Sequence, residues 1–221
     1  MVETVQLIAL TLGVGWASGI NLYAAVFMLG LLGNGGYIEL PPGLEPVMNP
    51  LVMAAAGFMY LVEFFADKTP GVDTAWDTLH TFIRIPAGAI LAAGALGGES
   101  QALELVGYLV GGSAAAASHL TKAGSRVLIN TSPEPVTNWV ASITEDIAVI
   151  GGLWTALNHP WVFIVLFILF VLLLIWLLPK LWRGILALFR RIAGWFGSKP
   201  AAPADEATPG DTPIKHHDGK T

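Results

Sequence analysis

Long apolar runs alternate with short polar segments along the chain. A membrane-spanning helix needs about 20 apolar residues, since it rises about 1.5 Å per residue through a hydrocarbon core about 30 Å thick. Six runs approach that length: 5–32, 50–66, 82–98, 102–120, 136–157 and 161–178. The first is over-long and carries Thr11, Ser18, Asn21 and four glycines (Gly13, Gly15, Gly19, Gly30). The fourth is rich in Gly, Ala and Ser, and the sixth has no polar side chain beyond its tryptophans. The pattern predicts an all-α fold, a polytopic transmembrane helical bundle of about six spans. Gly-Gly, Pro-Pro and Asn-Pro between residues 33 and 49 predict an irregular loop. The domain reading is a transmembrane domain over 1–179, a basic amphipathic juxtamembrane helix over 180–197 and a disordered tail over 198–221.

Composition sharpens this picture. The chain of 221 residues is 54% hydrophobic and only 12% charged. A soluble domain carries about 25% charged residues, so the chain is expected to have lipid as its main solvent. There is no cysteine, which excludes disulfides and thiolate chemistry. A net charge of -5 gives no reason to expect nucleic acid. The distribution of charge fixes an expected orientation. With six spans and the N-terminus inside, all 11 Lys and Arg fall on or beside the inner segments, and the segments 33–49, 99–101 and 158–160 hold none. The N-terminus has no basic residue ahead of its apolar run, so that run reads as a retained span rather than a cleaved leader.

Charged groups at membrane depth cost roughly 2.5–3.5 kcal/mol each and mark candidate sites. Glu63 and Asp67 lie one turn apart at the end of the second run. Glu145 and Asp146 interrupt the fifth run, and what remains after them is too short to cross. Glu63 and Glu145 each lie a turn or two from the expected inner end of a span, so they are expected to share a layer. Asp73, Asp77, His80 and Arg84 follow helical spacing and fall within about 60° of one another. Two readings are open for 70–84: an interfacial helix with this face in water, or a re-entrant helix turning it toward Glu63 and Glu145. Carboxylates with a histidine suit cation coordination or proton relay. Lys68, Arg84, Lys122 and Arg126 are expected as counter-charges or as ligands for anionic groups.

In the first run, Gly15 and Gly19 have GxxxG spacing beside Ser18 and Asn21. That spacing suits close helix packing, or a helix broken near Ser18–Asn21 whose backbone lines a site. Thr131-Ser-Pro-Glu134 reads as a helix start, and the pair His216 and His217 is poor evidence for a metal site. A faint internal repeat is visible, since Glu63–Gly71 and Ser118–Gly124 both place a Lys and a Gly after an apolar run.

Three segments carry a resemblance: Trp16–Tyr23, Glu63–Asp73 through His80–Pro86, and Lys122–Arg126 through Thr131–Pro135. Together they resemble a family of bacterial integral membrane proteins catalogued as domain of unknown function 4126. The resemblance implies a multi-pass protein of the bacterial inner membrane, here with both termini cytoplasmic, and it supplies no activity. Glu63-Phe-Phe-Ala-Asp-Lys-Thr69 is also similar to the Glu-x-Gly-Asp-Lys-Thr motif of cation/proton exchangers, with one extra residue and Ala in place of Gly.

The function expected is a small secondary transporter or ion exchanger. Its ion- or substrate-binding residues would be Glu63, Asp67, Asp73, Asp77, His80, Glu145, Asp146, Asn21 and Ser18. The alternatives are a lipid-handling or scaffold protein and, last, a membrane enzyme, for which no zinc motif, nucleophile elbow or phosphate loop is present. No cofactor is expected. The expected partners are the lipid bilayer, a small ion or small-molecule substrate, and anionic lipid at the basic helix. A homo-oligomer is compatible with the sequence.

Overall fold

The structure is a computed structural model describing residues 2–69, 71–131 and 135–196. Six α-helices follow in chain order: α1 (Val2–Asn34), α2 (Pro50–Ala66), α3 (Val72–Ala95), α4 (Gln101–Ile129), α5 (Pro135–Asn158) and α6 (Pro160–Phe196). A 3-10 helix, Pro42–Met48, precedes α2 at a bend of 68°. Local signals set these starts. Asn49 Oδ1 accepts from the Leu51 N–H with Pro50 at the first turn, and Ser100 Oγ accepts from the Leu103 N–H. Gly71, at φ +85°, makes the left-handed turn into α3. Ser132, Pro133, Glu134 and the tail with His216 and His217 lie outside the described residues.

Helix α1 departs most from expectation. Asn21 has extended backbone (φ -146°, ψ 93°) and divides it into two arms. Both arms run along the same stretch of α5. Gly13 of the first arm packs on Leu153 and Ala156, and Trp16 packs on Gly152. From the second arm, Ala24, Met28 and Leu31 share a pocket with Ile150. Both arms also follow α3, since Tyr23 meets His80, Val26 shares a pocket with Ile90, and Gly15 and Ser18 lie against Gly88. Helix α1 is therefore a V with its tip at Asn21. Its mouth is a cleft of about 470 Å³ lined by Glu3, Gln6, Leu10, Tyr37, Glu39 and Asn158. The N-terminus thus shares the upper face of the bundle with the loops around 37–41 and 158. The V tip is buried against the middle of α5, at Asp146. A first span over 5–32 would end on the opposite face from its start. The extended Asn21 backbone, at the break that the sequence left open near Ser18–Asn21, turns the chain back instead.

Small residues allow the V to sit deep. A Cβ on Gly15 would lie 2.8 Å from Gly111 Cα. One on Gly19 would fall on Ser118 Oγ and the Ala115 carbonyl. The GxxxG pair therefore packs α1 onto α4, while the break lies two residues beyond it. Gly19→Val should lower the melting temperature sharply, because overpacking typically costs about 1–3 kcal/mol. Gly151→Ala is the control, since a Cβ there meets nothing within 4 Å.

From Val72 to Arg84 the segment is neither a separate re-entrant piece nor a helix with its polar face in water. It is the first half of α3, which runs on through Pro86. Its polar stripe faces inward: Asp73, Asp77, His80 and Arg84 are buried, whereas Leu79 and Phe82 are 68% and 82% exposed. The stripe points at α4 and α2 because its charges find partners there and nowhere in lipid. By length and composition α1, α5 and α6 can cross a bilayer, and the bent pair before Ala66 makes a fourth candidate. The expected count of six does not emerge. Helix α1 doubles back, and α3 and α4 carry the buried charges. Helix α6 is one helix of 37 residues. Its basic stretch continues the last apolar run, and Leu181, Gly184 and Ile185 pack on Gly124 and Leu128 of α4.

Candidate functional site

Just below the V tip, four helices bring ionisable groups into one layer. Arg84, from the middle of α3, is 0% exposed. It donates from Nη2 to Glu63 Oε1 (2.7 Å) on α2 and from Nη1 to Asp77 Oδ1 (2.9 Å) on its own helix. Arg126, one turn beyond Lys122 on α4, donates to Glu145 Oε2 at 2.7 Å and to the backbone carbonyls of Asp67 and Asn138. Lys122 lies between the two guanidinium groups. Its Nζ is 2.7 Å from Asp67 Oδ2, 3.4 Å from Glu63 Oε1, 3.4 Å from Glu145 Oε2 and 3.7 Å from Asp77 Oδ1. Glu63 and Glu145 thus converge on one ammonium group.

The broken helix contributes directly. In an unbroken α1 the Ala24 N–H would donate to the Ile20 carbonyl. Here it donates to Asn21 Oδ1 (2.9 Å), and Ile20 O instead accepts from Lys122 Nζ at 3.1 Å. Asn21 Nδ2 reaches Asp146 Oδ1 at 3.1 Å. The side chain of Asn21 therefore caps the second arm and ties the tip to α5, while the carbonyl end of the first arm opens into the cluster.

The remaining expected residues lie around this layer. Lys68 donates to Ser142 Oγ (3.0 Å) and the Phe64 carbonyl, and its ammonium lies 3.0 Å from the Phe64 ring centre. Asp73 accepts at both oxygens from Asn130 Nδ2 (2.8 and 2.9 Å) and takes the Gly71 and Thr74 N–H groups. Asn138 Nδ2 donates in turn to Asn130 Oδ1, fastening the start of α3 to the α4–α5 connection. His80 bonds Tyr23 Oη and the Trp76 carbonyl and stacks on Trp76, rather than pairing with one of the carboxylates. Ser18 donates to the Val14 carbonyl of its own helix and packs near Gly88, outside the cluster.

Sequence reasoning passed over His119, Asn130, Asn138 and Ser142. His119 Nε2 pairs with Thr81 Oγ1 at 2.7 Å, and its Nδ1 lies 3.4 Å from Arg84 Nη1. Its signal was available: an imidazole one turn before Lys122 inside an apolar run.

Two expectations change on this geometry. Among the described residues no group of three or more His, Asp or Glu side chains is arranged to hold a metal ion. The carboxylates turn instead to Arg84, Lys122 and Arg126. Lys122 and Arg126 are 4% and 0% exposed, so neither presents itself to a lipid head group. The balance of the cluster is informative. Four carboxylates (Glu63, Asp67, Asp77, Glu145) meet three cations, which leaves one negative charge. Glu63 Oε2, Asp67 Oδ1 and Asp77 Oδ2 are buried without a hydrogen-bond partner. Orphaned buried oxygens of this kind are costly.

These features define a helical membrane protein with apolar outer faces and a charged interior. The chain belongs to the family described as Domain of unknown function (DUF4126), which it matches over residues 8–180. No curated protein and no solved structure matches it, and the exchanger-like motif at Glu63–Thr69 has no counterpart in these comparisons.

Proposed function

We propose that the protein is a small secondary transporter of the bacterial inner membrane, coupled to protons through the Glu63–Asp67–Asp77–Glu145 cluster. The observation that carries this reading is the uncompensated charge. Three buried carboxylates and the partly exposed Glu145 share three cations, with three orphaned oxygens. One proton neutralises that charge and gives one of the orphaned oxygens a hydrogen to donate. A broken helix whose free carbonyl meets the charged layer supports the same reading, since discontinuous helices form the ion sites of many transporters.

The topology proposed with it has five crossings, by α2 to α6, and a V dipping in from the upper face. Helices α3 and α4, with 24 and 29 residues, are long enough to cross. Their charges neutralise one another, which lowers the cost of carrying them through lipid. The basic residues lie toward the lower face, so the C-terminus is cytoplasmic and the N-terminus is outside. Lys180 and Arg183 at the inner end of α6 suit anionic lipid head groups.

Proteoliposomes carrying an internal pH dye test the proposal. Wild-type protein should pass protons down an imposed gradient. Glu145→Gln, at the most exposed acid of the cluster (18%), should abolish that flux. Glu39→Gln in the upper loop should leave it unchanged. Equal flux in wild type and Glu145→Gln would count against the cluster as the coupling site.

A further inference from the structure

Lys122 has surroundings that a lone salt bridge does not require. Five oxygens from four different helices point at its Nζ: Asp67 Oδ2, Ile20 O, Glu63 Oε1, Glu145 Oε2 and Asp77 Oδ1, at 2.7, 3.1, 3.4, 3.4 and 3.7 Å. Carboxylates and a helix-end carbonyl are also the donor types that proteins turn on bare cations. Two arginines hold three of the four carboxylates of this shell independently of Lys122. Arg84 holds Glu63 and Asp77 together from one side. Arg126 holds Glu145 at 2.7 Å and lies 3.8 Å from Asp67 Oδ2 on the other. The Ile20 carbonyl is free because Asn21 has taken its helical partner. The orphaned oxygens of Glu63, Asp67 and Asp77 belong to the same carboxylates, on side chains that are 0–4% exposed.

We infer that this shell is a monovalent cation site which the chain fills with its own ammonium group, so that Lys122 is a tethered stand-in for a potassium-sized ion. An ammonium and a potassium ion are close in size, and the longer distances suit such an ion better than a small divalent one. The stand-in explains how a cluster with so many acids needs no bound metal. It deepens the proton-coupling reading, on which it rests for the identity of the coupling ion: with the cation supplied in cis, only the proton remains to be exchanged. Without Lys122 the shell carries two negative charges and an unsatisfied carbonyl, and a cation from solution answers both.

The test is thermal melting of the purified full-length protein in potassium, sodium or choline chloride at equal ionic strength. Wild type should melt at one temperature in all three. Lys122→Met should melt lowest in choline and rise saturably with potassium, by roughly 5–10 °C when the site is full. Folding only in the presence of potassium is the same result in stronger form. Lys122→Met/Glu145→Gln, which removes one charge of each sign, should fold more readily and keep a smaller potassium response. Melting of Lys122→Met that is identical in potassium and choline would overturn the inference. Failure of both variants to fold in any salt would overturn it too, since the shell would then depend on Lys122. Because the measurement reads binding, a potassium response without wild-type proton flux would retain the cation site and remove the transport reading.

Discussion

Arg84→Gln is expected to lose about 3–5 kcal/mol of stability, the range found when one member of a buried ion pair is removed. Arg84 is 0% exposed and serves two carboxylates, Glu63 and Asp77, so its loss leaves both short of a partner in a dry interior. The loss is not a measure of what the pair contributes, because two ions brought out of water recover only part of their desolvation cost. The informative comparison is the charge-balanced double variant Glu63→Gln/Arg84→Gln. It removes one charge of each sign, leaves Asp77 within 3.7 Å of Lys122, and should recover most of the deficit. Unfolding in mixed micelles, read by tryptophan fluorescence, gives both numbers. A double variant no more stable than Arg84→Gln would mean that the shape of the guanidinium, not its charge, holds the layer together.

Single-cysteine labelling should give an all-or-none outcome. The chain has no native cysteine, so each introduced thiol reports one position. Thr4 and Gly35 are exposed, and the V brings them to one face, whereas exposed Thr131 lies at the other. An impermeant thiol reagent added to intact cells should modify cysteine at Thr4 and at Gly35 and leave cysteine at Thr131 untouched. Were α1 a straight span of 33 residues, about 50 Å long, Thr4 and Gly35 would react from opposite sides. Labelling split between those two positions would therefore dismantle the V.

Helix class and several element boundaries were legible because apolar runs and turn residues report them locally. The second run, 50–66, coincides with α2, and the fifth, 136–157, lies within one residue of α5 at each end. The apolar run that marks α3 starts only at residue 82, because hydropathy counts Asp73, Asp77 and His80 as though each faced lipid. Their common face showed that they could all point inward. Which way that face turned depended on Glu63 and Lys122, which are distant in sequence. The break in α1 had a local sign in the over-long run and its lone Asn21. The reversal of direction did not, since it follows from one pair of backbone angles and from the fit of Gly15 and Gly19 against α4. Ser18 was grouped with Asn21 by proximity. On a helix, three residues from the break, its hydroxyl turned to its own backbone instead. Asn130, Asn138 and Ser142 gave little signal, because one amide or hydroxyl near a helix end is common and only the partner across the bundle gives it meaning.

Charge movement after a pH step across sealed vesicles tests the central claim most directly, because it reads whether the buried layer exchanges a proton with either side. Wild-type protein reconstituted on a supported membrane should give a transient current that scales with the size of the step. Protein-free vesicles should give none, and neither should the folded Glu145→Gln variant, whose three remaining acids are balanced by three cations. A wild-type signal indistinguishable from protein-free vesicles, with the protein shown to be folded in the same membranes, would contradict the transport reading and leave the cluster as a structural knot.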